Sequence, residues 1–109
     1  MSVNRSHIER PPTLPGRFIQ HDILEEHGLT QEQLAQRLRV SRLTINELVK
    51  GRRAVTAIMA LRLEKLTGQS AGYWLALQKA VDLWEARKSQ ECYTIEEIEP
   101  LIAPDEVVD

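Results

Sequence analysis

Only one cysteine, Cys92, stands among the 109 residues, which excludes an internal disulfide and a zinc site built on cysteines. Aromatic residues are also few, and Tyr73, Trp74 and Trp84 fall close together, so the large apolar anchors are concentrated in one segment. No apolar run of 18 residues occurs and nothing resembles a signal peptide, so neither a membrane span nor export is expected and the chain reads as cytoplasmic and reduced. Catalytic constellations are missing too. His21 and His27 are six residues apart rather than at the i, i+4 spacing of a helical metal pair, Cys92 has no evident base partner, and there is no Gly-rich phosphate loop or carboxylate-histidine motif. No enzyme activity, metal or cofactor is therefore expected, and the two histidines read as solvated helix residues.

What is present is a split in charge. The formal net charge is −2, yet residues 1 to 88 hold all 14 Lys and Arg against 9 acids, a net +5, whereas residues 89 to 109 hold 7 acids and no Lys or Arg, a net −7. A basic body suits phosphate binding. The acidic tail suits a basic protein partner or competition with DNA for the body's own basic face, and it is also compatible with a solvated tail that only aids solubility. With 42% hydrophobic and 28% charged residues, the chain can bury one modest core.

Helix punctuation organises the body. Pro11, Pro12 and Pro15 with polar neighbours mark residues 1–14 as an N-terminal arm, in which Arg5 and Arg10 can reach a phosphate or a minor groove but are more simply solvated. A first helix is expected from about Pro15 to His27, with Phe18, Ile19, Ile23 and Leu24 as apolar contacts and Gly28 at its end. Thr56 caps a fourth helix carrying Ile58, Met59, Leu61, Leu63 and Leu66 and closed by Gly68; Ser70 caps a fifth that runs to about Lys88. Such short connections force neighbouring helices together, and no segment alternates convincingly as a strand. The expected fold is all-α, a compact five-helix domain over residues 15–88, with the arm before it and the acidic tail, residues 89–109, after it.

Between the first and fourth helices lies T-QEQLAQRL-RVS-RLTINELVK-G, residues 30 to 51. Thr30 and Gln33 form a T-x-x-Q capping box. Leu34, Ala35 and Leu38 make one apolar face, with Ala35 small where a second helix must approach, and Ser41 recaps the chain after a short turn. In the second helix Ile45, Leu48 and Val49 share the inner side. Leu43, Asn46, Glu47 and Lys50 point away, flanked by Arg42 and Thr44, and Gly51 ends the helix. This is a helix-turn-helix whose outer face suits the major groove: Arg can pair with guanine, Asn with adenine, Glu can accept from cytosine, and Leu43 can meet a thymine methyl. Lys50, Arg52 and Arg53 follow where phosphates would run. Arg39 is the discordant residue, standing at a turn position that usually carries Gly because it adopts a left-handed conformation, at a cost of roughly 1 kcal/mol for a residue with a side chain. The competing reading is an ordinary helical hairpin with solvated polar residues.

The fifth helix has more apolar surface than one core face requires. Trp74, Leu77, Val81 and Trp84 form one row, with Tyr73, Ala76, Ala80 and Leu83 beside it. One row can close the domain while the other pairs with a symmetry mate, or both can be buried within the monomer; Trp74, Leu77, Val81 and Trp84 are the dimerisation candidates. In the tail, T-I-E-E at 94 to 97 reads as a capping box for a single short turn before Pro100 and Pro104, with Ile95, Ile98, Leu101 and Ile102 as apolar islands among acids.

From Leu14 to Arg87 the sequence resembles the HigA/VapI family of antitoxins, within the Xre-type, lambda-repressor-like DNA-binding class. The resemblance is carried by L-P-G at 14 to 16, G-L-T-Q-E-Q-L-A at 28 to 35, V-S-R-L-T-I-N-E-L-V-K-G-R-R-A-V-T at 40 to 56, A-L-R-L at 60 to 63, and Y-W-L-A-L-Q-K-A-V-D-L-W at 73 to 84. Leu14 stands where the family commonly has the His of an H-P-G signature, and the acidic stretch after Lys88 lies beyond the matched part. The resemblance implies a homodimer that binds double-stranded operator DNA, represses its own operon and neutralises a HigB-type toxin, a small basic ribonuclease of RelE-like fold that cuts messenger RNA. By position it assigns base reading to Arg42, Leu43, Thr44, Asn46 and Glu47, and phosphate binding to Gln31, Lys50, Arg52 and Arg53. Two other readings remain: a stand-alone transcriptional repressor with no toxin, and an interaction module that holds a partner through the fifth helix without DNA.

Overall fold

The structure is a computed structural model that describes residues 10–102. Residues 1–9 of the expected arm, with Arg5, and residues 103–109 of the tail lie outside the described residues.

Pro15 opens helix α1 (Pro15–Phe18) at a position where its missing N–H costs nothing. The winding then widens into a π-helical segment (Ile19–Glu25) without a break in the helix, and the helix is closed at Gly28, φ 63°, where the Leu29 N–H bonds to the Leu24 carbonyl at 2.8 Å. The helix expected from Pro15 to His27 is thus present, but its π winding left no periodic trace in the sequence. Within the segment, the His21 ring and the Glu25 carboxylate meet at 2.8 Å on the exposed surface. The Gln20 amide and then the His21 ring hold the Glu25 carboxyl below the usual carboxylate range.

Helices α2 (Gln31–Leu38), α3 (Arg42–Val49), α4 (Ala57–Thr67), α5 (Ala71–Arg87) and α6 (Glu91–Glu96) follow. Among the described residues there is no strand. The side-chain caps sit where local spacing puts them. Thr30 and Gln33 make both bonds of the capping box, and Ser41, Thr56 and Ser70 each accept the backbone N–H three residues on. The Glu64 carboxylate adds a second cap, accepting the Ala71 N–H at 3.1 Å, so α4 holds the start of α5 with a side chain of its own.

The core is the meeting point of the π-helical segment, α2, α3 and α4. Ile19, Leu34, Ile45 and Leu63, one from each, are fully buried, and Trp74 of α5 closes the cluster. Each fully buried Ile or Leu contributes about 1.5–3 kcal/mol relative to exposure. Ala35 is buried in the same cluster.

Helix α5 departs from one of the two expectations for it. It is 17 residues long against 11 for α4, and Trp74 is its single buried residue. Leu77, Val81 and Trp84 are half-buried, Ala76 and Ala80 are exposed, and Leu83 is 45% exposed. The two apolar rows are therefore not both buried within the monomer: the side with Trp74 and Leu77 packs on the core, whereas helical spacing turns Ala76, Ala80 and Leu83 to the opposite side.

The tail also corrects an expectation. Thr94 and Glu97 do not form a capping box: α6 already begins at Glu91, Thr94 lies inside it, and Glu97 is its C-terminal boundary. A turn after Lys88 starts the helix earlier, with the Cys92 N–H bonded to the Ser89 carbonyl at 3.1 Å, and Glu91 favours its positive end. Ile95, Ile98, Leu101 and Ile102 remain exposed.

Candidate nucleic-acid interface

The turn between α2 and α3 has the left-handed geometry expected of it. Arg39 sits at φ 63°, ψ 42°, and is the one non-glycine residue with positive φ among the described residues. The Val40 N–H bonds to the Ala35 carbonyl and the Arg39 N–H to that of Gln36, the pair of bonds that closes a helix with a left-handed residue. From α4, the Arg62 guanidinium donates to the Leu38 carbonyl at 2.8 Å. A cation thus satisfies an end carbonyl of α2 and favours its negative dipole end. Arg62 was not singled out by the sequence; its partner is 24 residues away and outside any helical repeat.

Helix α3 is seated at its far end by the first helix. A Cβ added to Gly16 would lie 2.3 Å from the Leu48 carbonyl oxygen and 2.5 Å from that of Val49, so only a glycine lets α1 pass this close. The L-P-G segment therefore acts as the socket for the C-terminal end of α3, with Leu14 against Gly51, whose φ of 74° ends the helix.

The inner side of α3 is Ile45 and Leu48, both buried, with Val49 half-buried. Its outer side carries the five residues singled out for base reading, each in a different state. Arg42 is exposed and Leu43 is 61% exposed. Thr44 is half-buried, its hydroxyl 2.9 Å from that of the cap Ser41. Asn46 is half-buried and donates its amide to the Gln31 side-chain oxygen at 3.1 Å. Glu47 accepts two bonds from the Arg53 guanidinium, at 2.9 and 2.6 Å. The fold thus brings two of the candidate phosphate-binding residues, Gln31 and Arg53, onto two of the candidate base-reading ones. Lys50 and Arg52 lie exposed beside them.

A capped, outward-facing second helix joined to the first by a left-handed turn, with cationic side chains at its rim, defines a helix-turn-helix DNA-binding protein. The helix-turn-helix family pattern matches residues 21–74. The chain is 37% identical over 98 residues to the HTH-type transcriptional regulator YbaQ of Escherichia coli K12, covering 86% of this chain and 87% of that one. It is 35% identical over 79 residues to antitoxin HigA-1 of Vibrio cholerae, covering 72% and 74%. The structure of the Pseudomonas aeruginosa antitoxin HigA with the higBA promoter superposes with a TM-score of 0.77 at 34% identity, over 85% of this chain and all of that one. The chain belongs to the HigA/VapI family of Xre-type helix-turn-helix regulators. Among the described residues no group of His, Cys, Asp and Glu is placed to hold a metal ion, and no helix is long and apolar enough to cross a membrane.

Proposed function

We propose that the protein is an antitoxin that binds operator DNA, represses its own operon and neutralises a HigB/RelE-like toxin. The outer face of α3 carries this reading, because Arg42, Leu43, Thr44, Asn46 and Glu47 present donors, acceptors and an apolar contact in the space of two helical turns, the dimensions of a major-groove reader. Gln31, Lys50, Arg52 and Arg53 flank them and bind phosphates. The domain spans residues 15–88, between an arm at 1–14 and the tail at 89–109.

Two copies pair through the row of α5 that carries Leu77, Val81 and Trp84, each half-buried in one chain; Trp74, the fourth candidate of that row, is buried in its own core and anchors the helix there instead. A two-fold dimer of this kind reads a palindromic operator with half-sites about one helical turn apart. The toxin is small and basic, and the acidic tail is its complement in charge.

A second reading, a repressor without a toxin, draws support from the E. coli relative, which is named only as a transcriptional regulator. The test is binding of the purified protein to its own upstream DNA, with and without the product of the adjacent gene, at two salt concentrations. Specific, salt-weakened binding that the product alters is the expected result. Specific binding indifferent to that product favours the solitary repressor, and absence of specific binding in both samples overturns the DNA reading.

A further inference from the structure

The turn that carries Arg52 and Arg53 is held by a residue of α5, a helix to which no DNA contact is assigned. The Gln78 side-chain oxygen on α5 accepts the Val55 N–H at 2.8 Å, across 23 residues of sequence. The Gln78 amide nitrogen donates in turn to the Asp82 carboxylate one helical turn further on, at 2.9 Å. Both hydrogen-bonding ends of the amide are thereby used, which fixes which end faces Val55. Val55 is itself buried, so its backbone needs an acceptor in place.

At its other end the turn is fixed by Gly51 at φ 74° and by the Arg52 N–H bonded to the Glu47 carbonyl at 2.8 Å. The stretch between, Arg52 to Ala54, is exposed. Between this turn and α5 lies a groove of about 380 Å³, bordered by Arg52 and Arg53 on one side and Gln78, Val81 and Asp82 on the other.

We propose that Gln78 is a positioning residue for DNA binding: through the Val55 N–H it sets the path of the turn that presents Arg52 and Arg53 to the phosphates. It touches neither base nor phosphate. Because Val81 lies three residues along the same helix, on the row assigned to the dimer, the Gln78–Val55 bond also ties the spacing of the phosphate contacts to the helix through which two copies pair. This inference rests on the DNA-binding reading above.

The test compares Gln78→Met, which keeps length and helix preference but removes the acceptor, with the double change Gln78→Glu plus Asp82→Asn. The double change retains an acceptor for Val55, reverses the donor within the 78–82 pair and leaves net charge unchanged. Promoter affinity is measured across a salt series, and exchange of the Val55 amide is measured on the free protein. Gln78→Met is expected to weaken specific and random DNA together by about tenfold and to make the salt dependence shallower by about one phosphate contact. It is also expected to expose the Val55 amide to exchange, and the double change is expected to restore all three readouts.

Unchanged salt dependence in Gln78→Met, or a double variant that regains amide protection but not affinity, would overturn the positioning role. Arg53→Ala serves as the reference in the same series. If the unaltered protein and Arg53→Ala both bind random and promoter DNA alike, the DNA reading itself falls; if Arg53→Ala is weakened while Gln78→Met is not, only the role of Gln78 falls.

Discussion

The Asn46 amide on α3 donates to the side-chain oxygen of Gln31 at the first position of α2, 3.1 Å away. One bond therefore couples a side chain assigned to bases with one assigned to phosphate. Both keep spare capacity, since a carboxamide offers two donors and one acceptor oxygen, so Gln31 can hold Asn46 in register while each also faces DNA. Asn46→Ala is expected to cost roughly 1 to 3 kcal/mol on the operator and to relax preference at one base pair. Competition binding against single-position operator variants and random DNA checks this, and equal losses on both would overturn the base-contact assignment.

Glu47 and Arg53 make the opposite kind of pair, one in which each partner limits the other. Their bond is partly exposed, so it adds little to stability, about 0–1 kcal/mol, yet it neutralises a cation at the rim of the interface. Glu47→Gln is expected to raise affinity for random DNA several-fold, with a steeper salt dependence and a smaller ratio of specific to random binding. Arg53→Ala is expected to weaken all sequences evenly and to lower the salt slope by about 1. Titrations at three salt concentrations separate the two.

Gly16→Ala places a methyl group against the Leu48 and Val49 carbonyls at distances no packed Cβ tolerates. Overpacking of this kind typically costs about 1 to 3 kcal/mol. The expected signature in urea unfolding is a lower midpoint with an unchanged slope, since the surface exposed on unfolding stays the same. A midpoint equal to that of the original protein would show that the two helices can part without penalty.

Arg39→Gly should act in the other direction. At φ 63° the arginine pays the left-handed penalty, and glycine relieves up to about 1 kcal/mol of it, offset in part by greater freedom in the unfolded chain. A raised unfolding midpoint is the expected outcome; a lowered one would mean that the Arg39 side chain contributes more than its backbone costs.

For the dimer, Trp84→Glu is the direct probe, because Trp84 belongs to the candidate row yet is only half-buried in one chain and stands outside the core cluster, so the change should leave the monomer fold intact. Sedimentation of the variant is expected to give a monomer with unaltered helix content, and operator affinity is expected to drop with it. A variant that still sediments as a dimer would place the interface elsewhere. Deleting residues 89–109 gives the parallel test of the tail, with loss of toxin binding expected; full retention would remove the tail from the toxin-binding surface.

The parts of this fold that could be read from sequence are those whose physics is local. Thr30, Ser41, Thr56 and Ser70 each stand three residues before the N–H they accept, and helical spacing alone separates Ile45 and Leu48 from Leu43. Tertiary hydrogen bonds had no such signature. Gln78 to Val55, Arg62 to Leu38 and Asn46 to Gln31 join ordinary polar residues on different elements, and nothing in one segment announces the partner in another. The α5 stripe shows a third case: its apolar width is plain in the sequence, but which of its two rows meets the core depends on the helices packed against it. The sequence places the start of α6 too late because Thr94 has the residue type of a cap, whereas a backbone turn at Ser89 begins the helix before it.

The contact between Gly16 and the end of α3 gives the reading helix the mechanics of a beam fixed at both ends. Its carboxyl end is clamped by backbone against backbone, and its amino end is fixed by the closed turn at Arg39, while the exposed Arg42 and Leu43 side chains project from it. A clamped reader surrenders little motion on docking, so association should proceed with a heat-capacity change set by the surface it buries rather than by folding of the helix.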